Sequence, residues 1–139
     1  MAEARRFAAG LHLAVNGATV VCLSGELGAG KTTFTQIVAK ELGITETVNS
    51  PTFVIMRRYK IPQNTEDRPL QFHSLVHIDA YRLSGDRDLE ILGWRELIAD
   101  PQSLMLIEWP EKVSEALPNT AIKIKFEHLS DSDRRIEIR

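Results

Sequence analysis

A short β-branched apolar run that ends on glycine, then a glycine-punctuated loop, then a helical pattern, leaves a chain few folds to choose from. Residues Val20 to Ala39 carry that order. Val20 to Leu23 read as a buried strand, and the segment Gly25-Glu26-Leu27-Gly28-Ala29-Gly30-Lys31-Thr32 fits G-x-x-x-x-G-K-[ST] at every fixed position. A helical pattern without Pro or Gly then continues to Gly43. Strand before and helix after turn the string into a candidate phosphate-binding loop.

The spacing has a physical reason. Gly25, Gly28 and Gly30 let the loop wrap with its N–H groups turned inward. A helix starting near Lys31 adds free amides and the positive end of its dipole to the same hollow. The stretch from Glu26 through Leu27, Gly28, Ala29, Gly30, Lys31, Thr32 and Thr33 is the expected nucleotide-contacting segment. Lys31 supplies a mobile charge for the β- and γ-phosphates, and the Thr32 hydroxyl stands where Mg²⁺ is ligated.

A chain of 139 residues suffices for one domain, here residues 1–139, with a single sizeable core. Its 43% hydrophobic and 26% charged content is that of a soluble globular protein, and the net charge of −2 argues against a general nucleic-acid-binding surface. The single cysteine, Cys22, falls inside the first strand and cannot form a disulfide within the chain. No apolar run approaches membrane-spanning length, and His12 and Asn16 interrupt the apolar residues after Arg5 and Arg6. A cytoplasmic location with no membrane association is expected.

Along the chain, Glu3–Val15 reads as a helix and Thr19–Ser24 as strand one. Lys31–Leu42 comes next as a helix, with Phe34, Ile37, Val38 and Leu42 facing the core. A turn-rich link over Thr47–Thr52 leads into an extended run, Phe53–Tyr59. The polar segment Ile61–Ser74 reads as a surface loop between paired strands. Leu75–Asp79 and Leu104–Glu108 are apolar strands that each end in an acid. Asp86–Ile98 is expected helical with a weakness at Gly93, and Glu111–Ala116 forms a short helix after Pro110. Ala121–Phe126 and Arg134–Ile138 alternate as a half-exposed hairpin does. The order implies a P-loop-type α/β fold, a mixed sheet with helices on both faces. Ligands in such sheets sit beyond the carboxyl ends of the strands, where Gly25, Asp79 and Glu108 would converge.

A phosphate loop needs an acid near Mg²⁺, usually at a buried strand's end. Glu108 and Asp79 both qualify, and spacing leaves open which touches the ion and which orients water. Either could instead cap a helix or sit as a satisfied buried acid. Thr52 is a candidate switch threonine for Mg²⁺ and the γ-phosphate, or simply a strand-starting Thr after Pro51. His77 reads as a hydrogen-bonded core histidine rather than a ligand or base. Arg82 is better read as a surface ion-pair former than as a charge-stabilising group, and Trp109 lines the nucleotide or a partner surface, or simply caps the core. No Asn/Thr-Lys-x-Asp element that would read guanine is present, which favours adenine.

Several motifs occur together in a familiar order. Gly25–Phe34, Asn49-Ser50-Pro51-Thr52-Phe53, His77-Ile78-Asp79-Ala80-Tyr81-Arg82, Leu92-Gly93 and Ile107-Glu108-Trp109-Pro110 resemble the TsaE (YjeE) family from Val20 to Pro118. The resemblance implies a small ATPase using ATP and Mg²⁺ in bacterial tRNA threonylcarbamoyladenosine formation. It also implies partners TsaD and TsaB, with tRNA met indirectly through that assembly. Carried over, Lys31 and Thr32 hold phosphate and Mg²⁺, Thr52 is the switch threonine, and Asp79 and Glu108 are the acids of the metal and water site. Trp109 lies beside the nucleotide. The Ile61–Ser74 connection is longer and more polar than the family pattern. Two other readings use the same loop: a small-molecule kinase, for which Arg57, Arg58 and Arg68 make a thin lid, and a nucleotide-sensing module without catalysis.

Overall fold

The computed structural model describes residues 2–10, 17–26, 28–49, 55–63, 72–130 and 134–139. Its centre is a six-stranded sheet. In chain order the strands are β1 (Thr19–Ser24), β2 (Met56–Lys60), β3 (Ser74–Asp79), β4 (Ser103–Glu108), β5 (Ile122–His128) and β6 (Arg134–Ile138). They lie side by side as β2-β3-β4-β1-β5-β6. The inner four are parallel, while β2 and β6 run antiparallel along the two edges. Every residue of β4, and nearly every one of β1 and β3, is buried, as parallel strands covered on both faces require. On β5 only Ile124 and Phe126 are buried, so its other face meets water.

The helices are α1 (Ala2–Ala9), α2 (Lys31–Glu41), α3 (Asp86–Ile91) and α4 (Trp94–Ala99), with a 3₁₀ stretch over Pro110–Ala116. They cover both faces of the sheet, as the sequence implied. Against one face α1 and α2 pack Ala4, Ala8, Phe34 and Val38 onto Val21, Leu23, Leu104, Leu106, Ile124 and Phe126. Phe7, Phe34 and Phe126 form an aromatic ladder there, with ring centroids 5.5 and 5.4 Å apart. Against the other face, Leu89, Trp94, Leu97 and Val113 pack on Val20, Cys22, Val76, Ile78, Met105 and Ile107. Burial pushes the Cys22 thiol up to about 11, so it behaves as a small apolar side chain. No helix among the described residues is long and apolar enough to cross a membrane.

Two expectations of length are corrected. The first helix stops at Ala9, not Val15: Gly10, about 1 kcal/mol poorer than Ala in a helix, ends it with its N–H on Arg6 and Phe7 carbonyls. Residues 11–16 lie outside the described residues. The single helix expected over Asp86–Ile98 is two helices, α3 and α4, because Gly93, directly after the α3 C-cap Leu92, adopts the left-handed conformation (φ 80°) and is the N-cap of α4. β2 begins at Met56, after Ile55 with φ 70°; Phe53 and Val54, where the expected extended run starts, lie outside the described residues. The backbone at Ile55 is uncommon for a β-branched residue.

Candidate functional site

β1 delivers the chain to the loop, and Gly25 comes directly after it. At Gly25 (φ 146°) an added Cβ would sit 2.6 Å from the Phe126 carbonyl oxygen of β5, so only glycine lets the loop start flush against the sheet. Gly25→Ala is therefore expected to lower stability by about 1–3 kcal/mol, read as a lower urea midpoint at unchanged slope. A midpoint equal to that of the parent protein would contradict this packing. At the far end of the loop Gly30 (φ 103°) precedes α2. No side-chain hydrogen bond caps that helix, and its first turn holds no acid.

Lys31, the first residue of α2, is buried at 4% exposure. Its ammonium donates to the Gly25 carbonyl and lies 3.9 Å from the centre of the Trp109 ring. Burial holds its pKa below the ordinary lysine value, and the charges of Glu108, Glu111 and Asp79 oppose that shift. Trp109 can reach the ammonium because it turns left-handed (φ 59°, ψ 51°) where β4 ends. The half-exposed ring of Tyr81 stacks on it at 5.1 Å.

Strand register brings the acids together. Asp79 pairs with Glu108 across β3 and β4, and Glu108 with Leu23 across β4 and β1. Side chains alternate along a strand, so Glu108, two residues after Leu106, lies on the α2 face of the sheet. Asp79 and Glu108 are 5% and 4% exposed. Asp79 Oδ1 accepts the Tyr81 backbone N–H at 3.0 Å, and its own N–H donates to the Ile55 carbonyl at 2.8 Å. Glu108 Oε2 lies 2.7 Å from Nε2 of His77, which is fully buried.

The structure thus gathers Lys31, Asp79, Glu108 and Trp109 at one end of the sheet, with Gly28, Ala29, Gly30, Thr32 and Thr33 on the loop and helix start beside them. Glu26 is exposed on the loop, and Arg82 is exposed beyond the end of β3. Leu27 and Thr52 lie outside the described residues, as does the stretch 50–54. The His77–Glu108 bond was not legible from the sequence. The available signal was a polar residue inside an otherwise apolar strand, since a buried imidazole needs a partner. A cavity of about 380 Å³, bordered by Cys22, Ser24, Glu111 and Lys123, lies beside β1 on the face away from α2.

Magnesium was the expected metal. Among the described residues no group of three or more His, Cys, Asp or Glu side chains could hold a metal by itself. One hydroxyl and two buried acids fit a hard ion that keeps waters and shares phosphate oxygens.

The whole chain has close relatives in sequence. A family model described as "Threonylcarbamoyl adenosine biosynthesis protein TsaE" matches residues 1–136. A Bacillus subtilis protein named tRNA threonylcarbamoyladenosine biosynthesis protein TsaE is 40% identical over 117 residues, 84% of this chain and 66% of its own length. A Haemophilus influenzae protein of the same name is 34% identical over 128 residues, 92% of this chain and 74% of its own. The crystal structure of Bacillus subtilis YdiB superposes with a TM-score of 0.68 at 33% identity, covering 97% of this chain and 74% of that one. With a family model matching nearly end to end, the chain belongs to the TsaE family.

Proposed function

We propose that the chain is an ATP-binding and ATP-hydrolysing subunit that supports tRNA N6-threonylcarbamoyladenosine formation together with TsaD and TsaB. The observation that carries this is the convergence of one buried ammonium and two buried acids on the uncapped start of α2. Amides of the loop and of the first helical turn cradle the phosphates, and Lys31 neutralises charge on the β- and γ-oxygens. Thr32, Asp79 and Glu108 are the residues that would hold Mg²⁺, which would supply positive charge to offset that of the phosphates. Glu108 also accepts a hydrogen bond from the attacking water. The water oxygen bonds to the γ-phosphorus and gives up a proton to the Glu108 carboxylate, the bond from that phosphorus to the bridging oxygen breaks, and ADP departs with the electron pair. Thr52 remains the proposed switch threonine.

The sequence offers no obvious arginine finger, so hydrolysis by the lone chain is expected to be slow. Phosphate release measured with and without the TsaD–TsaB pair tests this. A large increase on adding the pair, with water as the only acceptor, supports the reading. Fast turnover by the lone chain, or transfer to a small-molecule acceptor, contradicts it.

A further inference from the structure

His77 plays no part in the hydrolysis chemistry proposed for Lys31, Thr32, Asp79 and Glu108, yet it occupies an unusual position. It is the only imidazole in β3, fully buried, on a strand whose other buried residues are Leu75, Val76, Ile78 and the terminal acid Asp79. Its Nε2 lies 2.7 Å from Glu108 Oε2, the short separation of a bond to an ionised partner. A carboxylate only accepts, so Nε2 carries the hydrogen. The other ring nitrogen, Nδ1, is buried without a hydrogen-bond partner among the described residues. An imidazole serving only to fill the core would do better as an apolar side chain of like volume. Here the ring brings a donor to one oxygen of an acid on the α2 face of the sheet, at the strand end where Lys31 also lies.

We infer that His77 is a positioning residue for hydrolysis: its Nε2–H anchors Oε2 of Glu108 and thereby presents Oε1 to the attacking water. The inference rests on the ATP-hydrolysing reading of the same site. A free glutamate side chain samples several rotamers, and one held in place by a buried donor does not. His77 touches neither nucleotide nor water, so its loss lowers the rate and leaves nucleotide affinity in place. Outer residues that orient an acid or a ligand in this way are worth about 10–100-fold.

The two ring nitrogens allow a sharp test, because a glutamine amide can reach the place of Nε2 and an asparagine amide only that of Nδ1. Hydrolysis by His77→Gln, His77→Asn and His77→Phe is measured in the assembly with TsaD and TsaB, and ATP affinity by calorimetry. The Asn and Phe variants are expected to lose about 10–100-fold in kcat with ATP affinity within about twofold, while Gln stays within a few-fold of the parent. Equal losses in Gln and Asn, unchanged rates in all three, or a loss confined to affinity would each overturn the inference. Should the variants fold poorly, the parent protein decides. Its His77 Nε2–H proton resonance is expected to resist exchange with water and to move in Glu108→Gln, and failure to do either overturns the contact. A parent protein that hydrolyses no ATP under any condition refutes the ATPase reading instead, and the resonance then judges the contact alone.

Discussion

In Glu108→Gln, phosphate release is expected to fall by about 10²–10⁴-fold, the span associated with losing a proton-accepting group, while ATP still binds. The substitution keeps volume and keeps an oxygen to accept the His77 Nε2–H at the 2.7 Å contact, so the fold has little to lose. Glu108→Ala is the less informative change. It leaves a fully buried imidazole donor without its acceptor, at about 1–3 kcal/mol of stability, and confounds chemistry with folding. Single-turnover hydrolysis, paired with calorimetric ATP titration, separates rate from binding. Parent-like turnover in the Gln variant would remove Glu108 from the reaction.

Lys31→Met addresses binding. Methionine keeps the apolar stem against the same neighbours and removes only the ammonium that now sits between the Gly25 carbonyl and the Trp109 ring. A hydrogen bond to a charged group is worth about 1.5–3 kcal/mol, so ATP affinity is expected to weaken about 10–150-fold. Calorimetry reads this directly, and parent-like affinity would mean that the amides alone hold the phosphates. The parent's pH profile offers a second check. Burial lowers the Lys31 pKa from 10.5, so in the free protein the ammonium deprotonates at a lower pH than an ordinary lysine. The charge that attracts phosphate is present below that lowered pKa and lost above it. ATP affinity therefore declines on the alkaline side before ordinary lysines titrate.

Much of this site was legible because its parts are local. The loop is one uninterrupted segment, and Asp79 and Glu108 each end an apolar run, a pattern that a buried parallel strand imposes on sequence. What escaped reading depends on how distant segments align. His77 and Glu108 are 31 residues apart, and only the parallel register of β3 and β4 puts them in contact. The left-handed turn at Trp109 leaves no mark in sequence, since nothing about tryptophan favours it. Gly93 was visible as a weak point, yet its effect depended on whether the chain turned there, and a positive φ divides one expected helix into two. The first helix was overextended because an apolar pattern continues past Gly10 while the backbone preference does not.

β1 lies inside the sheet with parallel neighbours on both sides, and the phosphate loop hangs from its end. In a folded chain the margins open most readily and the interior gives way only when everything does. Either antiparallel margin can therefore fray and re-form without disturbing the root of the loop. The amides proposed to grip phosphate are thus fastened to the part of the molecule expected to melt last.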